Sequence, residues 1–266
     1  MSEQYPELER ARGAWRYQPD ADCLAGQTIV VTGAGAGIGR ALARTCALYG
    51  ADVVLLGRTA NSLETQFDWI CQHTSTKPVI VPCDLRALDA GAAATLAQMI
   101  EENFGRLDAL INNASILGPK VPIAHYPEEA WTEVMQANTH APFLLCRHLF
   151  ELLDASPRGT VINVSSTVGR EGRAYWGAYS ASKFALEGLT QILADETEAA
   201  DRMRVYSLNP GATRTSMRAQ AYPGENPNTL PDPETHMDLF LYLLSATRDK
   251  DFPASGTPLD SRTWRA

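Results

Sequence analysis

The chain has 266 residues, which is enough for one sizeable hydrophobic core. Hydrophobic residues make up 45% of it and charged residues 20%, a composition typical of globular rather than disordered proteins. The formal net charge of −8 argues against nucleic acid as a partner, because phosphate contacts need clustered Lys and Arg. The sequence shows no such cluster.

The polar N-terminus and the cysteines bear on location. Residues 1–22 have no apolar core like that of a signal peptide, and we interpret them as an N-terminal arm that packs on the surface of the main fold. The five cysteines show no Cys-x-x-Cys spacing and are expected to be free thiols in a reducing compartment. No apolar run approaches the length of a membrane span. We therefore expect a soluble cytoplasmic protein without a membrane partner.

From residue 23 onward, short apolar runs alternate with helical patterns. The strand-like runs are 28–31, 53–56, 79–81, 107–111, 160–164 and 205–208, with a last possible strand at 257–260. Helical patterns between them include 38–49, 92–103, 127–153 and 180–200. Continuous apolar runs between helices indicate parallel strands that are buried on both faces. We predict a single α/β domain over 23–266, with a doubly wound, Rossmann-type parallel sheet of about seven strands and helices on both faces.

One region interrupts the alternation. Residues 217–238 hold four prolines among polar side chains, which predicts a long loop with at most short helices. Long loops in compact domains are often binding lids. We therefore assign a substrate loop to about 212–238.

Residues suited to a dinucleotide follow the carboxyl ends of the predicted strands, where open parallel sheets bind their ligands. The candidates are Gly33, Gly37, Ile38, Gly39, Arg58, Asp84, Leu85, Asn112, Ala114, Pro210 and Gly211. Glycines in the first turn let the backbone approach a pyrophosphate closely. The glycine turn alone is also compatible with an ordinary strand-to-helix turn or with a methyltransferase.

Two charged residues among these candidates have alternative interpretations. Arg58 stands where an acidic residue would bind the ribose of NAD, and an arginine instead suits the 2′-phosphate of NADP. A solvated surface arginine is the alternative. Asp84 would hydrogen-bond the adenine edge or cap the next helix.

A further motif is the stretch Tyr179-Ser180-Ala181-Ser182-Lys183. Residues four apart share a helix face, so Tyr179 and Lys183 can point into the same crevice. A free tyrosine has a pKa near 10, and a nearby ammonium group would lower that pKa toward neutral pH. Ser166 lies thirteen residues before Tyr179 at a strand end, and this spacing favours it over Ser165 as a partner.

These motifs resemble the short-chain dehydrogenase/reductase family over about residues 24–260. The resemblance is carried by Thr-Gly-x-x-x-Gly-Ile-Gly at 32–39, Asn-Asn-Ala at 112–114, Asn138, Ser166, Tyr179, Lys183 and Pro210-Gly211. The stretches 168–179 and 209–215 are most similar to a bacterial branch of the family, the YciK-like oxidoreductases.

The resemblance implies an NADP-dependent oxidoreductase that transfers a hydride between the nicotinamide and a carbonyl or alcohol substrate, with no metal. Tyr179 would exchange the proton, and Ser166 would hydrogen-bond the substrate oxygen. Lys183 would lower the tyrosine pKa and hold the ribose hydroxyls. Asn138 would hold a water next to Lys183, or alternatively would be a helix-interior amide bonded to backbone. The cofactor contacts would be completed by Thr213 and Thr215.

Assembly is also implied, since the family's matching helices pack across a two-fold axis. We expect a homodimer or homotetramer through the apolar residues of 127–153 and 180–200, which include Phe143, Leu144, Leu145, Phe150, Leu186, Leu189, Ile192 and Leu193. A dinucleotide-binding sensor or partner-binding protein that keeps the fold without turnover is the alternative function.

The chain departs from the family at three places. Ser115 replaces the glycine that usually follows Asn-Asn-Ala, so close cofactor packing there is in question. Ala36 replaces a basic residue of many NADP-dependent members, which leaves Arg58 as the main cofactor discriminator. The third departure is at the C-terminal stretch at Leu259, which lacks the family's common glycine pair.

Trp176, Arg173 and Met217 are candidates for the substrate pocket.

Overall fold

A single parallel sheet organises the part of the chain that the computed structural model describes, residues 5–200 and 203–265. Its seven strands lie in the order β3-β2-β1-β4-β5-β6-β7. They are β1 (Thr28–Thr32), β2 (Asp52–Gly57), β3 (Val79–Pro82), β4 (Ala109–Asn112), β5 (Thr160–Val164), β6 (Arg204–Asn209) and β7 (Pro258–Asp260). The predicted Rossmann-type sheet is confirmed, with strand ends that shift by one or two residues.

The helices cover both faces of this sheet. They are α1 (Pro6–Arg12), α2 (Gly37–Leu48), α3 (Ala60–His73), α4 (Ala90–Phe104), α5 (Glu128–Met135), α6 (Ala141–Asp154), α7 (Gly177–Glu198), α8 (Ser216–Ala221) and α9 (Met237–Ser245). The helical pattern predicted at 127–153 is not one α-helix. A turn of π-helix at Gln136–His140 separates α5 from α6, and such wide turns often occur at functional sites.

Two hydrophobic layers enclose the sheet because successive strand residues point to opposite faces. Val31 belongs to the layer that includes residues of α2, α3 and α9, and Val30 belongs to the layer that includes α4, α6 and α7. Both valines are fully buried. This burial on both faces explains why the strands read as continuous apolar runs.

The strand order reverses at β1, whose neighbours are β2 and β4. A crevice opens at such a switch point, at the carboxyl ends of the strands. Here the hydroxyl of Thr32 accepts hydrogen bonds from the backbone N–H groups of Asn113 and Ala114, each at 2.9 Å. These bonds hold the first turns after β1 and β4 together, and both turns line the crevice.

The N-terminal arm is more deeply integrated than the sequence suggested. Tyr5, Leu8 and Trp15 are buried in the same hydrophobic layer as α2 and α9. The Tyr5 hydroxyl donates to Glu234 Oε1 at 2.5 Å, and Trp15 Nε1 donates to the Glu234 carbonyl at 3.1 Å. The arm therefore forms part of the core. The sequence does not show this, because the residue that the arm contacts, Glu234, lies near the far end of the chain.

The loop predicted after residue 212 holds only short helices up to the start of α9, as expected. These are α8 and two 3₁₀ turns, Pro227–Thr229 and Pro233–His236. Within the described ranges, no helix has both the length and the hydrophobicity needed to cross a bilayer.

Candidate active site

The glycine turn after β1 has the backbone geometry that only glycine permits. Gly33 has a φ of 69°, in the left-handed region. A Cβ atom on Gly39 would lie 2.1 Å from the Gly33 carbonyl oxygen, so α2 can approach the turn only because this residue lacks a side chain. Ala36, at the N-terminus of α2, provides no side-chain cap. The backbone N–H groups of this helix end are therefore available to an anion in the crevice.

One crevice brings together most of the site residues that the sequence predicts. Fourteen of them line it, namely Gly33, Gly37, Ile38, Arg58, Asp84, Leu85, Ala114, Ser166, Tyr179, Lys183, Pro210, Gly211, Thr213 and Thr215. Three others do not, namely Gly39, Asn112 and Asn138. Gly39 acts by close packing against Gly33, and the two asparagines have other partners.

The side chain of Asn112 points into the sheet interior. It is 2% exposed, and its Nδ2 donates to Asn163 Oδ1 on the neighbouring strand at 2.9 Å. Asn113 lines the crevice in its place, and its Nδ2 donates to the Thr32 carbonyl at 2.9 Å. The prediction of Asn112 as a crevice residue is wrong because neighbouring residues at a strand end face in different directions.

Asn138 lies in the π-turn and is almost fully buried. Its Oδ1 accepts from the backbone N–H of Ile116 at 2.8 Å, and its Nδ2 donates to the Ile116 carbonyl at 2.9 Å. The same Nδ2 lies 3.1 Å from Ser182 Oγ, one residue before Lys183. Asn138 is therefore bonded to backbone, as one of the two sequence-based interpretations expected, and it joins the segment after β4 to α7.

The end of the crevice next to β2 and β3 contains two arginines rather than one. Arg58 follows β2 and is exposed, and Arg86 follows Asp84. Arg86 Nη2 donates to Asp84 Oδ2 at 2.6 Å, and this hydrogen bond lowers the pKa of Asp84. Asp84 does not cap the next helix, because Asp89 accepts from Ala92 N at 2.8 Å there.

Tyr179, Lys183 and Ser166 meet at the middle of the crevice. Lys183 Nζ lies 5.7 Å from the centroid of the Tyr179 ring and donates to the Val164 carbonyl at 2.7 Å. Both side chains are buried, at 8% and 1% exposure for Tyr179 and Lys183. Ser166 caps the short 3₁₀ turn that follows β5 and lines the crevice beside them.

Burial controls the acidity of this group. It raises the pKa of Tyr179, while hydrogen bonding to Ser166 and then to Ser115 acts in the opposite direction. It also lowers the pKa of Lys183 to about 8. The net direction is opposite to the one that the sequence predicts, because desolvation of the phenolate is the largest influence on the pKa of Tyr179.

Sequence reasoning treated Ser115 only as a missing glycine. The structure shows that Ser115 lines the crevice next to Tyr179 and that its Oγ lies 3.9 Å from Met217 Sδ. Trp176 and Met217, candidates for the substrate pocket, line the crevice, whereas Arg173 is exposed outside it. The sequence gives no sign of this position, because residues 115 and 179 are far apart along the chain and come close together only in the folded structure.

A doubly wound sheet, a glycine turn at its switch point and a Ser-Tyr-Lys group in the crevice define a dinucleotide-binding oxidoreductase. Residues 27–226 match the short chain dehydrogenase family. The chain belongs to this family.

The relatives are similar over nearly their whole length. The chain is 45% identical to the oxidoreductase YciK of Escherichia coli strain K12, over 94% of this chain and 97% of that protein. A short-chain dehydrogenase structure from Pseudomonas syringae has a TM-score of 0.88 and 46% identity, with 92% and 98% of the two chains covered. One from Shigella flexneri, complexed with NADP, has a TM-score of 0.87 and 42% identity, covering 92% of this chain and all of that one.

Proposed function

We propose that this chain is an NADP-dependent oxidoreductase that transfers a hydride between the nicotinamide and a carbonyl or alcohol substrate. The observation that carries the proposal is the convergence of Tyr179, Ser166 and Lys183 in the crevice that begins at the glycine turn. A sensor that only binds a dinucleotide has no need of a buried proton donor at that point.

The residues of the crevice fit NADP(H). The tight turn at Gly33 and the uncapped end of α2 suit a pyrophosphate. Arg58 is exposed at the adenosine end, where a guanidinium can make paired hydrogen bonds to a 2′-phosphate. The NADP complex of the similar Shigella flexneri protein supports the same choice. Pro210, Gly211, Thr213 and Thr215 would border the nicotinamide end, with Leu85 and Ala114 along the other wall.

When bound, the nicotinamide supplies or accepts the hydride. The chain's own residues then manage the charge on the substrate oxygen. Tyr179 Oη donates the proton and Ser166 Oγ donates a hydrogen bond, so that negative charge does not accumulate on that oxygen. Lys183 is mostly protonated at neutral pH because its pKa is about 8, and its buried charge favours the phenolate that remains.

Three further features complete the proposal. The segment 212–238 forms the substrate side of the crevice, supported by the lining residues Ser216, Met217 and Ala221. The chain forms a homodimer or homotetramer, supported by exposed Phe143, Phe184 and Ile192 on α6 and α7. The free state of the five cysteines supports a cytoplasmic location.

A panel of aldehydes, ketones and quinones, assayed by the loss of NADPH absorbance, tests the function. Tyr179→Phe removes one oxygen and keeps the ring, so NADPH binding should survive while turnover falls by about 10²–10⁴-fold. Tyr175→Phe is the matched control, because Tyr175 is 57% exposed. A Tyr179→Phe protein that retains more than about a tenth of the activity contradicts the mechanism. NADPH binding without turnover of any carbonyl supports a sensor instead.

A further inference from the structure

The crevice has an apolar wall on the substrate side of Tyr179. Leu117, Trp176, Tyr179, Ala221 and Met217 line it, and they belong to a hydrophobic cluster that also contains Val168 and Tyr222. The ring centroids of Trp176 and Tyr179 are 5.7 Å apart, and those of Trp176 and Tyr222 are 5.9 Å apart. A substrate whose oxygen reaches Tyr179 would therefore place its body against Trp176.

A lysine lies over both outer rings of this wall. Lys120 Nζ is 4.7 Å from the centroid of the Trp176 ring and 4.5 Å from that of Tyr222. The same ammonium donates one hydrogen bond to the Ala221 carbonyl at 2.8 Å. An ammonium has three donors, and in the described part of the chain no carboxylate forms an ion pair with Lys120. Lys120 is half-buried, so its charge is only partly screened by water.

Two arginines add positive charge beside the same ring. The Arg218 guanidinium carbon is 3.9 Å from the centroid of the Tyr222 ring, and Arg173 Nη1 lies 3.4 Å from the Tyr222 hydroxyl. Glu225 accepts both hydrogen bonds from Arg218, each at 2.6 Å, and so neutralises one of the cations. Among the described residues, neither Lys120 nor Arg173 forms an ion pair with a carboxylate, so their charges remain available to attract an anion to this edge.

We propose that the substrate is a carbonyl or alcohol compound with an apolar body and a carboxylate remote from the reacting oxygen, and that Lys120 binds that carboxylate. This inference rests on the proposed function. The apolar body contacts Trp176 and Met217. The carboxylate accepts hydrogen bonds from the N–H groups of Lys120 that do not donate to the Ala221 carbonyl. In this role Lys120 determines specificity and takes no part in proton transfer.

Two pairs of probes test the charge at fixed shape. They are 4-formylbenzoate and the longer 4-formylcinnamate, each compared with its own methyl ester, with NADPH as reductant. We expect kcat/KM for the acid to exceed that for the ester by about tenfold or more in at least one pair, the size of a charge-assisted hydrogen bond. Equal kcat/KM values for acid and ester in both pairs overturn the inference.

Variants at residue 120 separate binding of the carboxylate from a structural role. Lys120→Met keeps a long apolar side chain over the rings and removes the charge, so the acid-to-ester ratio should fall to about one. Lys120→Arg should restore the ratio, and Lys77→Met, at an exposed lysine on the opposite half of the sheet, should leave it as in the wild type. If Lys120→Met lowers kcat/KM for acid and ester alike and leaves their ratio unchanged, Lys120 only holds α8 in place through the Ala221 carbonyl, and the inference is wrong.

A binding measurement distinguishes failure of this inference from failure of the proposed function. Titration calorimetry of the four probes into the protein with NADP⁺ gives the acid-to-ester ratio without turnover. Tighter binding of the acids without any reduction contradicts the proposed function and supports the carboxylate preference. Reduction of acids and esters with equal efficiency supports the function and contradicts the preference.

Discussion

The Nε2 atom of His236 lies 2.8 Å from the hydroxyl of Thr213, a residue of the crevice wall. On the other side of the ring, Nδ1 lies 3.0 Å from Ser261 Oγ, which itself donates to the Pro210 carbonyl at 2.8 Å. Ser261 therefore accepts from Nδ1–H, and Nε2 is the acceptor for Thr213. A neutral imidazole thus links the C-terminal segment to Thr213 in the crevice wall.

This link predicts a loss of stability in acid. Burial lowers the pKa of His236 from 6.5 to about 4, while the charge of Asp260 acts in the opposite direction. Because the folded pKa lies below the unfolded value, the stabilising contribution is complete above about pH 6.5 and is lost as the pH falls toward 4. A shift of this size corresponds to about 3 kcal/mol. Urea unfolding of His236→Gln should therefore show a smaller loss of stability between pH 7 and pH 4 than the wild type.

Exposed His125 provides the control for this measurement. His125→Gln should lose stability in acid as steeply as the wild type. Parallel pH dependences of the wild type and His236→Gln would show that the histidine does not cause the loss.

The second prediction concerns the buried contact between the arm and Glu234. Tyr5→Phe removes the hydroxyl that donates to Glu234 Oε1 at 2.5 Å and leaves the carboxylate with Arg40 at 3.4 Å. Tyr5 and Glu234 are 2% and 1% exposed, so water cannot replace the lost donor freely. We expect a loss of about 1–3 kcal/mol in the free energy of unfolding. The same substitution at exposed Tyr175 should cost almost nothing, and a neutral Tyr5→Phe would mean that the contact contributes little.

The third prediction concerns the choice of nucleotide. Arg58→Ala should weaken NADPH binding by about 1.5–3 kcal/mol and leave NADH binding nearly unchanged, because only NADPH carries a 2′-phosphate. Titration calorimetry with both nucleotides measures the difference. Arg147→Ala, on the exposed side of α6, is the control. A wild-type protein that binds NADH as tightly as NADPH would refute this assignment.

The fourth prediction concerns Ser115, the serine beside the proposed proton donor Tyr179. Burial raises the pKa of Tyr179, and hydrogen bonding to Ser115 offsets part of that rise. Ser115→Gly should therefore raise the pKa further. In carbonyl reduction the rate falls at alkaline pH as the tyrosine loses its proton. The alkaline limb of the pH profile of kcat should therefore move to higher pH in Ser115→Gly. A limb that stays at the wild-type pH would show that this hydroxyl does not affect the proton donor.

The fifth prediction concerns assembly. Phe184 and Ile192 on α7 are large apolar side chains that are 45% and 59% exposed. Replacing both with Glu should convert a dimer or tetramer into a monomer of about 29.0 kDa in light scattering. Ile123→Glu is the control, since Ile123 is 66% exposed outside these helices. A wild-type protein that is already monomeric at micromolar concentration would contradict the expectation of a homo-oligomer.

The eight apolar residues expected to form this interface divide into three groups in the structure. Four are buried within the chain, namely Leu144, Leu145, Leu186 and Leu193, whereas Phe143 and Ile192 are exposed. Phe150 and Leu189 are half-buried. Phe184, which sequence reasoning did not select, is also exposed. Periodicity marks a residue as apolar but does not say whether its own chain covers it.

Local patterns in the sequence were sufficient for the fold and for the centre of the site. Continuous apolar runs predicted the five interior strands β1, β2, β4, β5 and β6, because parallel strands inside a sheet are buried on both faces. The four-residue spacing of Tyr179 and Lys183 placed both on one helix face, and the glycines after β1 reported a backbone that other residues cannot adopt. Each of these signals depends on residues that are near one another in the chain.

Tertiary structure decided what depends on distant neighbours. Tyr5 meets Glu234 and Ser115 meets Tyr179 only after the sheet has assembled. The same holds for the choice between Asn112 and Asn113 at the end of β4, which follows from the direction that each side chain takes in the folded sheet. The pKa of Tyr179 is likewise raised because the fold removes water from around the ring, and burial is a property of the packed molecule rather than of a motif.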